Sequence, residues 1–172
     1  MYYTDQHLKL WVHHIIRSMS KNGFTPDYIV GLTRGGLVPA NMISQYLDIP
    51  MHTLKVSFRD DVDCGKESNC WMAEDAFGYP TGFAQAGKKR ILIVDDINDT
   101  GATLEWIKQD WQGGCYPGAK EEWEDVWNNN VKFAVLINNE ASKFKDVDYV
   151  GHTINKEDNP EWCVFPWEQW WS

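Results

Sequence analysis

The distribution of apolar side chains along the chain predicts an alternation of helices and short buried strands. Over residues 4–22, apolar positions recur at spacings of three and four, which predicts an amphipathic helix ending near Asn22 and Gly23. Similar patterns predict helices over residues 37–47 and 103–111. Continuous apolar runs predict buried strands, which cover residues 28–32, 51–57, 90–94, 131–137 and 148–152.

The order of these elements predicts the fold class. Strands alternate with helices, as in α/β proteins with three layers, where helices cover both faces of a doubly wound, mainly parallel sheet. No repeat or linker divides the sequence, so we expect one domain over residues 1–172. Ligands bind such sheets beyond the C-terminal ends of the strands. The loops at residues 33–36 and 95–103 are therefore candidate binding loops.

Two long stretches show no clear period. Residues 58–89 are rich in Asp, Gly and Ser, which is typical of a functional lid or a disordered segment. Residues 112–130 are acidic and predict a loop and a short helix. The tryptophans in and beside this insert either cover the core or build a subunit interface, and they are Trp111, Trp123 and Trp127. The aromatic tail contains a proline and is expected to be extended.

Composition and charge limit the function classes. The 172 residues are 43% hydrophobic and 24% charged, as in a globular protein. The net charge of −9 disfavours general nucleic-acid binding, which depends on Lys and Arg. No apolar run approaches the roughly 20 residues of a membrane span, and no secretory signal is evident. We expect a cytoplasmic location, no membrane partner, and reduced thiols at the four cysteines, which form no C-x-x-C pair.

The segment 91–103 has the features of a phosphate-binding loop. An apolar strand ends at Asp95 and Asp96, and a short turn leads into a helix. Helix N-termini present unpaired N–H groups and a positive dipole end to anions. Gly101 permits close backbone approach, and the hydroxyls of Thr100 and Thr103 add donors. Carboxylates repel phosphate, so the two aspartates suit ribose hydroxyls and a hard cation such as Mg²⁺.

This gapless segment resembles the signature of the type I phosphoribosyltransferases, which bind 5-phosphoribosyl 1-diphosphate (PRPP). The resemblance implies their fold, Mg²⁺ as cofactor near Asp96, and Asp99 as the catalytic residue that exchanges a proton with the base. It also implies a set of PRPP-binding residues. That set is Arg34, Gly35, Asp95, Asp96, Ile97, Asn98, Asp99, Thr100, Gly101, Ala102 and Thr103.

Two further segments fit the resemblance. The glycine-rich turn at residues 33–36 is similar to the family's pyrophosphate loop, and Arg34 can offer a charge-assisted fork to a diphosphate. Residues 56–89 lie where the family has a flexible hood, which would exclude water from the reacting ribose. Several basic residues near the hood are candidates for the diphosphate contact, and the sequence does not choose among them. They are Lys55, Arg59, Lys66, Lys88 and Lys89.

The C-terminal segment, about 148–172, resembles the end of the xanthine-guanine and related purine phosphoribosyltransferases. The resemblance implies that the Trp162 ring stacks on the base, that the Cys163 backbone reads the base edge, and that Glu168 contacts the edge or the metal. The implied acceptor is a 6-oxopurine, either guanine, xanthine or hypoxanthine. The other tail tryptophans are expected to fill the core, and they are Trp167, Trp170 and Trp171.

One departure from these relatives concerns the base. The purine-specific relatives carry a lysine after the strand that corresponds to residues 133–137, where it meets the 6-oxo group. This chain has Asn138 and Asn139 there. The amide of Asn139 can donate to the same oxygen but brings no charge, so the base preference stays open.

Other readings of the sequence remain. A protein of this fold can bind PRPP or a nucleotide as a regulatory signal, although the acidic charge and the presence of Asp99 argue against that here. A phosphoribosyltransferase for another base, such as orotate, is also possible on the donor loop alone. Relatives imply a homodimer or a homotetramer, and purine salvage is the expected pathway.

Overall fold

The computed structural model describes residues 1–56, 69–78, 87–118 and 120–171. Its five strands form one parallel sheet in the order β2-β1-β3-β4-β5. The strands are β1 Tyr28–Thr33, β2 Met51–Lys55, β3 Ile91–Asn98, β4 Val131–Asn139 and β5 Tyr149–Ile154. The α-helices are α1 Asp5–Lys21, α2 Leu37–Leu47, α3 Cys70–Phe77 and α4 Ala102–Gly114. Short 3-10 helices span Glu121–Asp125 and Pro166–Glu168.

Helices cover both faces of the sheet, which confirms the predicted three-layer α/β fold. One core joins α1 and α2 to the sheet face that carries Ile29, Leu92 and Leu136. The second core joins α3 and α4 to the face that carries Val30 and Ile93. Neighbouring residues of a strand thus point into different cores, as the alternation of side chains across a strand requires. The inner strands β1, β3 and β4 are buried on both faces, which explains their continuous apolar runs.

Helix α1 shows how local sequence sets an element's start. Thr4 caps the helix, because its side chain accepts the His7 N–H while the His7 ring accepts the Thr4 N–H. The predicted apolar face is buried, and it packs chiefly on β5, where Trp11 stacks on His152 with ring centroids 5.3 Å apart. Gly151 permits this contact, because a Cβ atom there would lie 2.8 Å from the Leu136 carbonyl oxygen and against Trp11.

The prediction that residues 58–89 lack a regular element is wrong for α3. This helix has eight residues, too few to show a sustained period, and it buries Met72, Ala73 and Ala76. The rest of the expected hood, including Arg59 and Lys66, lies largely outside the described residues. Lys89 forms an ion pair at 3.2 Å with Asp75, whose side chain is almost fully buried.

The tryptophans divide between the core and the surface. Trp111, Trp123 and Trp127 are buried, and the Trp127 ring packs against the other two, so they cover the core. Trp167 is half-buried against Phe165, with parallel rings 4.7 Å apart. The expectation that the last two tail tryptophans fill the core is wrong, because Trp170 is 78% exposed and Trp171 is 69% exposed. Their aromatic character alone could not reveal that the chain leaves the core after residue 168.

Two further features of the described residues concern the cysteines and the helices. Cys70, Cys115 and Cys163 are free thiols, whereas Cys64 lies outside the described residues. Burial raises the pKa of the Cys115 thiol to about 11, so it stays protonated at neutral pH. Among the described helices, none has both the length and the apolar character to cross a bilayer.

Asp148, which precedes β5, gives the fold a pH dependence. Its carboxylate accepts the Phe133 N–H at 2.8 Å, and burial raises the pKa of this carboxyl from 3.8 to about 6. The folded chain therefore holds the proton more tightly than the unfolded chain. The free energy of unfolding then falls as the pH rises from about 4 to about 6, and this effect levels off at higher pH.

We expect Asp148→Asn to be more stable than the unsubstituted protein at about pH 8, because the amide keeps an acceptor for Phe133 without a buried charge. The difference should shrink as the pH falls from about 6 toward about 4. Urea unfolding across this range measures it, with Asp125→Asn as the control at an exposed carboxylate. A difference that is constant with pH, or that grows at low pH, would contradict this assignment.

Candidate functional site

A cavity of about 970 Å³ opens at the C-terminal edge of the sheet. Its walls are the loop after β1, the end of β2, the loop after β3 and the C-terminal tail. The strand order reverses between β1 and β3, and ligands bind doubly wound sheets at such a switch point. The volume is in the range of small-molecule sites. Both loops expected from the sequence therefore meet at one site.

The loop after β3 forms the floor of the cavity. Every residue from Asp95 to Leu104 lines it. The chain turns at Gly101, where φ is +91°, and α4 starts at Ala102. The first amides of a helix have no intrahelical partner, so they are available to a ligand at this end. The Thr100 hydroxyl accepts the Ala102 N–H at 3.3 Å, which tightens the turn.

A second loop, residues 140–145, braces this turn from behind. The Lys143 N–H donates to the Thr100 carbonyl at 3.1 Å. The side chain of Asn98 is buried, donating to the Phe144 carbonyl at 3.0 Å and accepting from the Ser142 hydroxyl at 2.9 Å. The side chain of Asn98 thus binds the brace, and the residue also lines the cavity. Nothing in the sequence indicated this brace, because its residues have no spacing in common with the loop.

Asp95 and Asp96 lie in the polar C-terminal half of β3, shortly before the loop that follows Asn98. Asp96 accepts the Ile97 N–H at 2.8 Å, and Asp95 accepts the Asp96 N–H at 3.0 Å. The loop after β1 touches this pair, because a Cβ atom on Gly35 would collide with the Asp96 carboxylate. The Thr33–Arg34 peptide bond is cis. Arg34 and Lys55 line the cavity beside the carboxylates, so cations and anions are adjacent in it.

The donor set suits a hard cation. Carboxylate oxygens are the ligands that Mg²⁺ prefers, and Mg²⁺ in nucleotide sites is commonly held by one or two carboxylates together with substrate phosphates and water. Within the described ranges, no group of three or more His, Cys, Asp or Glu side chains could hold a metal by itself. Asp95 and Asp96 are cavity residues whose carboxylates could supply oxygen ligands to such a cation.

The C-terminal segment supplies an aromatic wall of the cavity. Trp162 lines the cavity and is 55% exposed, so its ring is accessible from the cavity. Cys163 is buried and lines a small adjoining pocket with Glu168, whose carboxylate accepts the Phe165 N–H at 2.8 Å. The N-terminal residues hold this segment through backbone hydrogen bonds, including one from the Tyr3 N–H to the Val164 carbonyl at 3.0 Å.

A polar cluster lies between the floor and the aromatic wall of the cavity. The sequence predicted Asp99 and Asn139 as site residues, which are two of its members. Asn139 is buried behind Asp99, and its amide donates to the Asp99 backbone carbonyl at 3.0 Å. Lys156, which follows β5, donates from Nζ to the Asp99 carboxylate at 2.9 Å. The sequence reading missed Lys156. Its place after the strand predicted at 148–152 was the available signal, since strand ends meet at the binding edge.

The sequence-predicted residues are therefore brought together, with one exception. All the expected PRPP-binding residues line the cavity, as do Trp162 and Glu168. Cys163 lines the adjoining pocket. Asn139 lines neither, because it lies one layer back and its amide is used in internal hydrogen bonds.

Comparison with known proteins agrees with this geometry. The chain is 28% identical over 81% of its length to a xanthine-guanine phosphoribosyltransferase of Cereibacter sphaeroides, 68% of which is covered. It is 23% identical over 84% of its length to a hypoxanthine-guanine phosphoribosyltransferase of Schizosaccharomyces pombe, 78% of which is covered.

Among solved structures, the fold is similar to a purine phosphoribosyltransferase of Pyrococcus horikoshii, with a TM-score of 0.65 at 24% identity, covering 98% of this chain and 94% of that one. The family model of the phosphoribosyl transferase domain matches residues 1–169. The match extends over nearly the whole chain, and the chain belongs to the phosphoribosyltransferase family.

Proposed function

We propose that this protein transfers the 5-phosphoribosyl group from PRPP to a 6-oxopurine, releasing pyrophosphate and a nucleoside monophosphate. The observation that carries the proposal is one cavity lined by two unlike kinds of group. A helix N-terminus and paired carboxylates line it together with the accessible ring of Trp162. A sugar phosphate suits the first group, and a flat base suits the second. Guanine, xanthine and hypoxanthine are the proposed acceptors, and purine salvage is the corresponding role.

The donor would be held by the loop after β3. The amides at the start of α4 and the hydroxyls of Thr100 and Thr103 suit the 5-phosphate. Asp95 and Asp96 suit the two ribose hydroxyls, because carboxylates accept hydrogen bonds from them. The brace behind Gly101 fixes these groups before the ligand arrives. Such preorganisation reduces the entropy lost on binding.

The leaving diphosphate would lie between the loops after β1 and β3. Arg34 can donate a bidentate, charge-assisted pair to it, and Lys55 adds a second charge from the end of β2. Mg²⁺ bound with the substrate near Asp96 would supply additional charge neutralisation for the diphosphate. Because these cations act where negative charge develops, they favour departure of the diphosphate from the ribose C1 atom.

The acceptor would stack on Trp162 with its edge toward Asp99. As the bond from C1 to the diphosphate oxygen breaks, a bond from C1 to a purine nitrogen forms. The base then carries one proton too many, and the Asp99 carboxylate would accept this proton from N7. Positioning and charge stabilisation supply most of the rate enhancement, since no covalent intermediate is needed.

We expect Trp162→Ala to raise KM for the base by about 10- to 100-fold, because base–aromatic stacking is worth about 1–3 kcal/mol. The turnover number should change less, since stacking stabilises substrate and transition state alike. Steady-state kinetics with varied base measures both, and Trp162→Phe should retain much of the affinity. Trp170→Ala is the control, because Trp170 is exposed and is outside the described lining of the cavity. Equal effects at both positions would contradict the stacking role.

A base panel distinguishes the proposed function from its alternatives. Pyrophosphate release from PRPP with Mg²⁺ is measured with guanine, hypoxanthine, xanthine, adenine, uracil and orotate in turn, with and without a chelator of Mg²⁺. We expect release with 6-oxopurines only, and its loss with the chelator. No release with any base would favour a PRPP- or nucleotide-binding regulator. Release with uracil or orotate would favour a phosphoribosyltransferase for another base.

A further inference from the structure

Lys156 occupies a special position at the base end of the cavity. Its ammonium lies 2.9 Å from the Asp99 carboxylate, and its side chain is only 16% exposed. The same ammonium lies 5.7 Å from the centre of the Trp162 ring. It lines the small pocket between these two residues. A cation therefore lies over the Trp162 ring, 5.7 Å from its centre, within reach of a flat base stacked on that ring.

The side-chain amide of Asn139, which is buried, fixes the backbone of Lys156. Asn139 accepts the Lys156 N–H at 3.0 Å and donates to the Asp99 backbone carbonyl at 3.0 Å. The end of β4 thus links the start of the loop after β5 to the loop after β3. Asn139 is 5% exposed, so this link is shielded from water. Its amide orients Lys156 and Asp99 instead of reaching the ligand.

The pair presents two complementary groups side by side. Asp99 offers an acceptor, and 2.9 Å away Lys156 offers a donor. On a 6-oxopurine, N7 and the exocyclic oxygen lie next to each other on one edge, whereas a 6-aminopurine has a donor amino group in place of the oxygen. An N7 proton can donate to Asp99 while the oxygen accepts from Lys156. A 6-amino group would instead meet a cation that has no acceptor.

The cations that line the larger cavity in the described residues lie at a different part of the sheet from Lys156. Arg34 follows β1 and Lys55 ends β2, whereas Lys156 follows β5 at the edge opposite to β2. The strand order thus separates the proposed diphosphate cations from Lys156, which lies over the Trp162 ring.

We propose that Lys156 determines base specificity, by donating from Nζ to the exocyclic oxygen of a 6-oxopurine whose N7 faces Asp99. This inference rests on the proposed function. It also accounts for the amide at Asn139, since the cation comes from the loop after β5 and the end of β4 positions it. The purine-specific relatives carry a lysine after the strand that corresponds to β4. In this chain Lys156, from the loop after β5, would make the contact of that lysine instead.

The test compares oxo and amino purines in the full chain. We expect Lys156→Met to lower the ratio of kcat/KM for hypoxanthine to that for adenine by about 10- to 100-fold. Lys156→Arg should restore part of the preference, since it keeps the charge and the donors. Lys9→Met, on the exposed face of α1, removes the same charge at a distance and should leave the ratio unchanged.

An equilibrium measurement separates this inference from the proposed function. Titration calorimetry with inosine 5′-monophosphate and adenosine 5′-monophosphate gives the same preference without catalysis. If the unsubstituted protein turns over 6-oxopurines and Lys156→Met keeps the oxo-to-amino ratio, the inference fails while the proposed function stands. If there is no turnover, the proposed function fails, and the binding ratio of the variants decides on Lys156. Equal binding of both nucleotides, or of neither, by the unsubstituted protein overturns the inference.

Discussion

Asp99→Asn should lower the turnover number by about 10²- to 10⁴-fold while leaving the affinity for PRPP nearly unchanged. General acid–base catalysis contributes in that range, and an amide cannot exchange the proton at N7. The amide has nearly the size of the carboxylate and can still accept a hydrogen bond from Lys156. The loop should therefore keep its shape. Pyrophosphate release gives the turnover number, and titration calorimetry gives the dissociation constant of PRPP.

A large fall in turnover with an unchanged dissociation constant of PRPP would assign the proton exchange to Asp99. If Asp99 merely supported the loop, its replacement would weaken PRPP binding together with turnover. Asp125→Asn, on the exposed 3-10 helix, makes the same chemical change away from the cavity and should affect neither quantity. Turnover close to that of the unsubstituted protein would show that Asp99 does not exchange the proton.

Gly101→Ala should destabilise the fold by about 3 kcal/mol or more and weaken PRPP binding at least about tenfold. The backbone at Gly101 has φ +91°, a conformation that costs other residues about 1–3 kcal/mol. A Cβ atom there would also lie 2.6 Å from the Phe144 backbone nitrogen and 2.9 Å from the Ser142 hydroxyl. Overpacking of this kind costs about 1–3 kcal/mol. Relief of either strain moves Thr100 and the start of α4, which are the proposed phosphate ligands.

Gly113→Ala is a matched control in the same helix. A Cβ atom at Gly113 would meet nothing within 4 Å, and the position lies in the last turn of α4. Alanine favours a helix by up to about 1 kcal/mol over glycine. We therefore expect equal or greater stability and unchanged PRPP affinity. Urea unfolding and calorimetry decide the comparison. Similar losses in both variants would mean that the turn at Gly101 has no special role.

The sequence was sufficient to predict the fold class and the donor end of the site. The apolar residues of a buried strand and the candidate anion-binding residues lie close together in the segment 91–103. Local sequence patterns therefore predict both. Strand β3 nevertheless extends to Asn98, beyond the predicted end at residue 94. Its polar end pairs with β4 through Asn98 and Asn138, and such pairing depends on a neighbouring strand rather than on apolar character.

The resemblance predicted Trp162, Cys163 and Glu168 for the base end. Lys156 could not be predicted in the same way, because the groups that it contacts come from distant segments. Lys156 lies 57 residues from Asp99 along the chain, and Asn139 connects them in space. The brace at Ser142 and Phe144 is similarly defined by tertiary packing. A lysine after a strand is common, and only the neighbouring Asp99 and Trp162 give this one a functional meaning.

Direct identification of the products of a single reaction tests the central proposal. The protein is incubated with PRPP, Mg²⁺ and hypoxanthine, and both pyrophosphate and inosine 5′-monophosphate are quantified over time. We expect the two to form in equal amounts, with neither formed when hypoxanthine is omitted. Pyrophosphate without the nucleotide, or no consumption of PRPP with any 6-oxopurine, would contradict the proposal that this chain transfers phosphoribose to a purine.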